Sequence, residues 1–205
     1  MTGPRLTHVD EHGAAHMVDV SAKDVSARVA VATGTLLVAP QVVALLRGPG
    51  VAKGDALGTA RIAGIMGAKR TPDLVPLCHP ISLSGVTVEL TVRDDGVEIV
   101  ATVRTADRTG VEMEALTAVT VAGLTLHDMV KAVDPGAELT GVRVLSKTGG
   151  RTGDWQADPS RLSRGPGLAP GSGQAEGQAE DSDPTVDRAL PGGPGGPGGA
   201  AGTVR

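Results

Sequence analysis

Val86 to Arg104 reads VTVELTVRDDGVEIVATVR. Val86–Arg93 and Val97–Arg104 flank Asp94-Asp95-Gly96, and Asp-Gly is the turn chemistry of a hairpin. Two strands joined this tightly pair antiparallel. Upstream, Arg28 to Val38 (RVAVATGTLLV) predicts another strand, in which Val29, Val31, Thr33 and Thr35 alternate with Arg28, Ala30, Ala32 and Gly34. Pro40 to Arg47 predicts a short helix, with Pro early and Gly48 past its end. Asp55 to Arg70 predicts a second, with Asp55 as its N-cap and Lys69 and Arg70 suited to the negative C-terminal dipole. Gly58, Gly64 and Gly67 cost this helix propensity, so another backbone must approach it closely.

Downstream, Val111 to Val133 predicts a long helix that is apolar nearly all round, including Met113, Leu116, Val121, Leu124 and Met129. A helix with so little polar face must be buried, in part by another subunit. Glu138 to Ser146 predicts the last strand. The order β-α-α-β-β-α-β implies an α+β sandwich, an antiparallel sheet with helices on one face.

Phe and Tyr are absent and Trp155 is the sole aromatic, so small aliphatic side chains must pack closely. Oligomerisation would help such a chain by burying more surface. A formal charge of −4 argues against a general nucleic-acid binder while leaving room for a local phosphate site. The single Cys78 cannot form an intrachain disulfide. Met1 to Asp10 lacks the apolar run of a secretory signal, and no stretch has transmembrane length. A cytoplasmic protein without membrane partners is expected. From Gln156 to Arg205 there are 12 Gly and 7 Pro, too little apolar surface to offset chain entropy. The expected organisation is a folded domain over 1–155 and a disordered Gly/Pro-rich tail over 156–205.

Four places could carry chemistry. Asp128 and Lys131 lie three residues apart on the long helix, and Glu114 falls within about 40° of Asp128 around it, so all three share one sector of an apolar rod. Lys53 precedes the second predicted helix, where free N–H groups favour an anion. Leu77-Cys78-His79 lies between Pro76 and Pro80, which stiffen the backbone and direct His79. Lys147-Thr148-Gly149-Gly150-Arg151-Thr152-Gly153 combines cations with glycines that allow a ligand to approach the backbone. Each has a plainer reading as well: an i,i+3 ion pair, a surface turn, a structural histidine and an exit loop. Cys78 and His79 have no CxxC, HxxxH or HExxH partner, so no metal is expected.

Taken together, HMVDVSAK (His16–Lys23), KGD…TARIAGIMGAKRTPDLVPLCHP (Lys53–Pro80), TGVEMEALTA (Thr109–Ala118), HDMVKAV (His127–Val133) and KTGGRTGDW (Lys147–Trp155) resemble the MoaC family in order and spacing. The resemblance spans about Leu6 to Trp155. It implies a ferredoxin-like fold and a homohexamer, a trimer of dimers with interfacial sites. It implies a cyclic pyranopterin monophosphate synthase, a lyase that converts 3′,8-cyclo-7,8-dihydro-GTP and releases pyrophosphate in molybdenum cofactor biosynthesis. No cofactor is implied. The family's catalytic positions match Asp128, Lys131 and Lys53. Its substrate-contacting positions match Leu77, Cys78, His79, Met113 and Glu114, and further basic positions match Arg28, Lys69 and Lys147. On this reading Asp128 and Lys131 exchange protons with Lys53 nearby, and Arg28, His79, Lys69 and Lys147 hold phosphates. Glu114 and the Met113 backbone hold the guanine-like edge. Pro72 and His127 replace aromatics common in the family without removing a catalytic group. The alternative is a non-catalytic, oligomeric pterin- or nucleotide-binding protein.

Overall fold

The computed structural model describes residues 6–48, 51–151 and 153–158; the side chains of 51–55 lie outside this description. So do Lys53's side chain and the predicted tail from residue 159 onward. The elements are β1 (Ser26–Leu37), α1 (Pro40–Arg47), α2 (Val51–Lys69), α3 (Thr71–Leu74), β2 (Leu83–Val92), β3 (Gly96–Asp107), α4 (Glu112–Val130), β4 (Glu138–Thr148) and β5 (Trp155–Gln156). The sheet order is β2-β3-β1-β4-β5 and every neighbouring pair is antiparallel. Strands β1 to β4 thus follow the ferredoxin-like arrangement, and α2 and α4 pack together over one face.

The expected hairpin forms between β2 and β3, with Val92 opposite Val97. Gly96 is needed there for close approach rather than for a positive φ: a Cβ on it would collide with the carbonyl of Leu36 in β1. On β1 the core takes the small side chains. Ala30, Ala32 and Leu36 are buried, while Val29, Val31 and Thr35 are half-buried on the face away from the helices. This is how a core almost without aromatics closes: Ala101, Ala115, Ala118 and Ala122 let α4 lie close on the strands.

Helix α2 begins at Val51, so Asp55 is inside it and not at its N-cap, and Lys53 is in the first turn instead of before the helix. The earlier start adds about one turn of backbone hydrogen bonds to the helix. A Cβ on Gly64 would lie 2.8 Å from the Ala118 carbonyl oxygen, and one on Gly67 would lie 2.9 Å from Val121. The predicted close approach is therefore α4 itself. Gly58 faces open space in the single chain. Helix α1 lacks a side-chain cap of its own; Asp134, beyond α4, accepts the Ala39 N–H at 2.7 Å and supplies the missing negative charge. Pro72 stands in the first turn of α3, where its absent N–H costs nothing.

The outer helical surface remains apolar. Ile62 and Met66 on α2 and Leu124 and Met129 on α4 are exposed. No helix among the described residues is long and apolar enough to cross a membrane.

Candidate active site

A cleft of about 450 Å³ opens at the N-terminal end of α4. One wall is the Leu77–His79 loop, a second is Met113 and Glu114, and a third is the N-terminal segment with His8 and Val18. Sequence local to each wall explains its position. Pro76 and Pro80 bracket the loop, and the Cys78 N–H closes a turn onto the Val75 carbonyl. The N-terminal segment is held from two directions. His79 Nε2 donates to the Val18 carbonyl at 2.7 Å, and Arg108 Nη1 donates to the carbonyls of Ser21 and Lys23.

Glu114 is 3% exposed, and its Oε2 has no hydrogen-bond partner among the described residues. Burial, reinforced by repulsion from Glu112, pushes its carboxyl up to about 7. Burial and the nearby Glu114 also push the Cys78 thiol up. Both shifts favour the protonated forms, and an unsatisfied buried carboxyl oxygen on a cleft wall invites a ligand's hydrogen bond. Asp19 differs: the Ser21 N–H, 2.8 Å from its Oδ1, holds its carboxylate below the usual range. Lys147 Nζ lies 3.1 Å from Glu112 Oε1, and Arg28 Nε donates to the Asp107 carbonyl at 2.9 Å.

Asp128 and Lys131 are elsewhere. Lys131 Nζ donates to Asp128 Oδ1 at 2.6 Å on the exposed end of α4, and this contact holds the Asp128 carboxylate below its ordinary value. Fourteen residues of helix put them about 21 Å along the axis from Glu114. Glu114 and the Asp128–Lys131 pair share an angular sector of α4 but not one site within the chain. Angular coincidence does not bring them together, because rise along the axis separates them and only the Glu114 end is roofed by a loop. Helix α2 runs antiparallel to α4, with Ala68 packed in the cluster of Val111 and Ala115 and Ala60 in that of Leu126 and Val130. Lys69 thus belongs to the cleft end, exposed and outside the cleft lining, while the first turn of α2, with Lys53, belongs to the Asp128 end.

Among the described residues no three His, Cys, Asp or Glu side chains are grouped to hold a metal ion. The MoaC family model matches residues 17–150. The chain belongs to the MoaC family. It is 75% identical over 151 residues to the cyclic pyranopterin monophosphate synthase of Streptomyces coelicolor, covering 74% of this chain and 89% of that protein. It is 68% identical over 154 residues to the enzyme of that name from Nocardioides sp., covering 74% and 94%. It is 63% identical over 150 residues to cyclic pyranopterin monophosphate synthase 2 of Mycobacterium tuberculosis, covering 73% and 90%.

Of the positions that the MoaC resemblance singled out, the structure gathers Leu77, Cys78, His79, Met113, Glu114 and Lys147 around one cleft. Arg28 lies next to it, sharing a small cavity with Lys147. Sequence reasoning missed His8, Lys23 and Glu112 on the cleft walls, and Arg108 behind them. Lys23 was within reach, since it ends the HMVDVSAK motif. Nothing local marks His8, because the segment carrying it is irregular and reaches the cleft only by folding back.

Proposed function

We propose that this chain is a cyclic pyranopterin monophosphate synthase, a lyase that converts 3′,8-cyclo-7,8-dihydro-GTP to cyclic pyranopterin monophosphate and pyrophosphate in molybdenum cofactor biosynthesis. The observation that carries this reading is the buried carboxyl of Glu114 on the cleft wall shared with the Leu77–His79 loop, one oxygen of which, Oε2, has no partner among the described residues, in a MoaC-family chain. In the closing step a ribose-derived hydroxyl attacks the α-phosphorus. The new O–P bond forms as the bond to the β-phosphate breaks, and the hydroxyl proton passes to a base.

Glu114 and the backbone around Met113 hold the guanine-like edge, and cations at the cleft, including Arg28 and Lys147, stabilise charge on the phosphates. His79 and Lys69 complete this set. Asp128 and Lys131 form the proton-exchanging pair with Lys53, and they reach the cleft of a neighbouring protomer. The separation of about 21 Å along α4 supports a site assembled between subunits. The exposed Ile62, Met66 and Leu124 support burial of the helical surface in a homohexamer, a trimer of dimers. The protein works in the cytoplasm without a metal or organic cofactor, and residues 1–155 suffice for the reaction.

The test is incubation of purified protein with 3′,8-cyclo-7,8-dihydro-GTP, following both products together, with Lys53→Ala as control. Both products are expected with the unmodified protein and neither with the variant. Tight substrate binding without turnover would instead make this a binding protein.

A further inference from the structure

We propose that His8, carried to the cleft by a small N-terminal hairpin, is a further catalytic residue whose Nε2 takes the hydroxyl proton in the cyclising step. This rests on the reaction proposed above and names the base that its closing step requires. His8 lines the same cleft as Met113, Glu114 and His79.

Local geometry places the ring. Val9 bridges to Ala15, and the turn between them is closed by Asp10, whose Oδ1 accepts the His12 and Ala14 N–H groups at 2.9 and 2.8 Å. Gly13 supplies the positive φ of 82° that this turn uses. Residues 8 and 16 are then tied twice. The His16 N–H donates to the His8 carbonyl at 3.1 Å, and His8 Nδ1 donates to the His16 carbonyl at 3.2 Å. Leu6 and Val9 are exposed, so hydrogen bonds rather than burial hold the hairpin.

The second tie decides the chemistry. A carbonyl oxygen only accepts, so Nδ1 carries the proton and the neutral ring has its lone pair on Nε2. That nitrogen is the one farthest from the residue's own backbone. His79 is the reverse: its Nε2 donates to Val18, and its lone pair is on Nδ1, close to its own backbone. Glu112 lies against Lys147 at 3.1 Å, and burial pushes Glu114 and Cys78 toward their protonated forms. In the cyclising step the O–H bond breaks and its proton passes to Nε2. The oxygen's electron pair forms the bond to the α-phosphorus, and the bond to the β-phosphate breaks with its electrons on the departing pyrophosphate. The His16 carbonyl steadies the imidazolium through Nδ1–H, and the ring returns its proton to water as the products leave.

The test uses the full-length protein with His8→Asn and His8→Ala, following pyrophosphate release from 3′,8-cyclo-7,8-dihydro-GTP. An asparagine amide can still donate to the His16 carbonyl but offers no basic nitrogen. Both variants are expected to lower kcat by about a hundredfold with KM nearly unchanged. Added imidazole should restore part of the rate to His8→Ala, which a structural role would not allow. If the unmodified protein turns over substrate and His8→Asn matches its kcat, or if imidazole rescues nothing, the role of His8 is overturned and the reaction stands. No products from the unmodified protein would overturn the reaction and this role together.

Discussion

The imidazole of His79 and the backbone carbonyl of Val18 are 2.7 Å apart, with Nε2 of the ring as the donor. A carbonyl oxygen only accepts, so Nε2 carries a proton and the neutral ring keeps its lone pair on Nδ1. One side chain thus latches the N-terminal segment to the cleft and presents a defined nitrogen. His79→Ala is expected to raise KM by roughly tenfold, the loss of one or two hydrogen bonds. Amide exchange around Val18 should quicken in the variant. An unchanged KM with unchanged exchange would mean that the latch does nothing for binding.

Glu114 makes stability depend on pH with a defined sign. Its carboxyl is raised from 4.5 to about 7, so between those values the unfolded chain has released a proton that the folded chain keeps. Stability therefore falls as pH rises through that window and levels off above it, by on the order of 3 kcal/mol. Glu114→Gln should flatten the slope of melting temperature from pH 5 to pH 7, read by calorimetry. The same slope in the variant would assign it to another group.

Two glycines of α2 should respond in opposite directions. Gly64→Ala places a methyl 2.8 Å from the Ala118 carbonyl oxygen and is expected to destabilise by about 1–3 kcal/mol. Gly58→Ala meets nothing within 4 Å in the single chain and should stabilise by about 0.5–1 kcal/mol through helix propensity. Thermal melts of both variants check this. Stabilisation by Gly64→Ala would contradict the close contact between α2 and α4.

An interfacial site predicts complementation in trans. Lys131→Ala and Glu114→Ala should each be inactive or nearly so. After mixing and reassembly, roughly a quarter of interfaces pair an intact cleft with an intact Asp128–Lys131 end. Activity should recover to about that fraction. No recovery in verified mixed oligomers would place both ends of the site in one chain.

Truncation separates the last strand from the tail. A chain ending at Asp158 keeps β5 against β4 and the 2.7 Å bond from the Ala157 N–H to the Leu145 carbonyl, and should match the full chain in activity and melting temperature. Ending at Trp155 removes that bond, and a fall of a few degrees with activity intact is expected. Inactivity of both truncations, though folded, would give the tail a role in the reaction.

The order of the seven longer elements and the antiparallel sheet were legible because their signals are local, whereas the short α3 and β5 were not expected. The Asp95-Gly96 turn, the Pro40 start and Gly48 end of α1, and the apolar run of α4 each act over a few residues. The start of α2 was not legible: Asp55 looks like a cap, but the helix continues back to Val51. Which face of β1 is buried was also hidden. Alternation separates Ala30 and Ala32 from Val29 and Val31, but only the approach of α4 selects the small residues for the core.

The site divides in the same way. The sequence by itself determined the family and the chemical types present, because motifs such as LCHP, VEME and HDMVK carry their residues in fixed spacing. Only the tertiary structure decided that Glu114 is buried with its Oε2 unpartnered among the described residues while Asp128 is exposed at the far end of the same helix. It alone placed His8 and Lys23 around the same cleft as His79, and Arg151 around the same cavity as Arg28. The reason is physical. Spacing along a chain specifies angle and rise on one element, whereas burial and electrostatic neighbours depend on which other elements cover it.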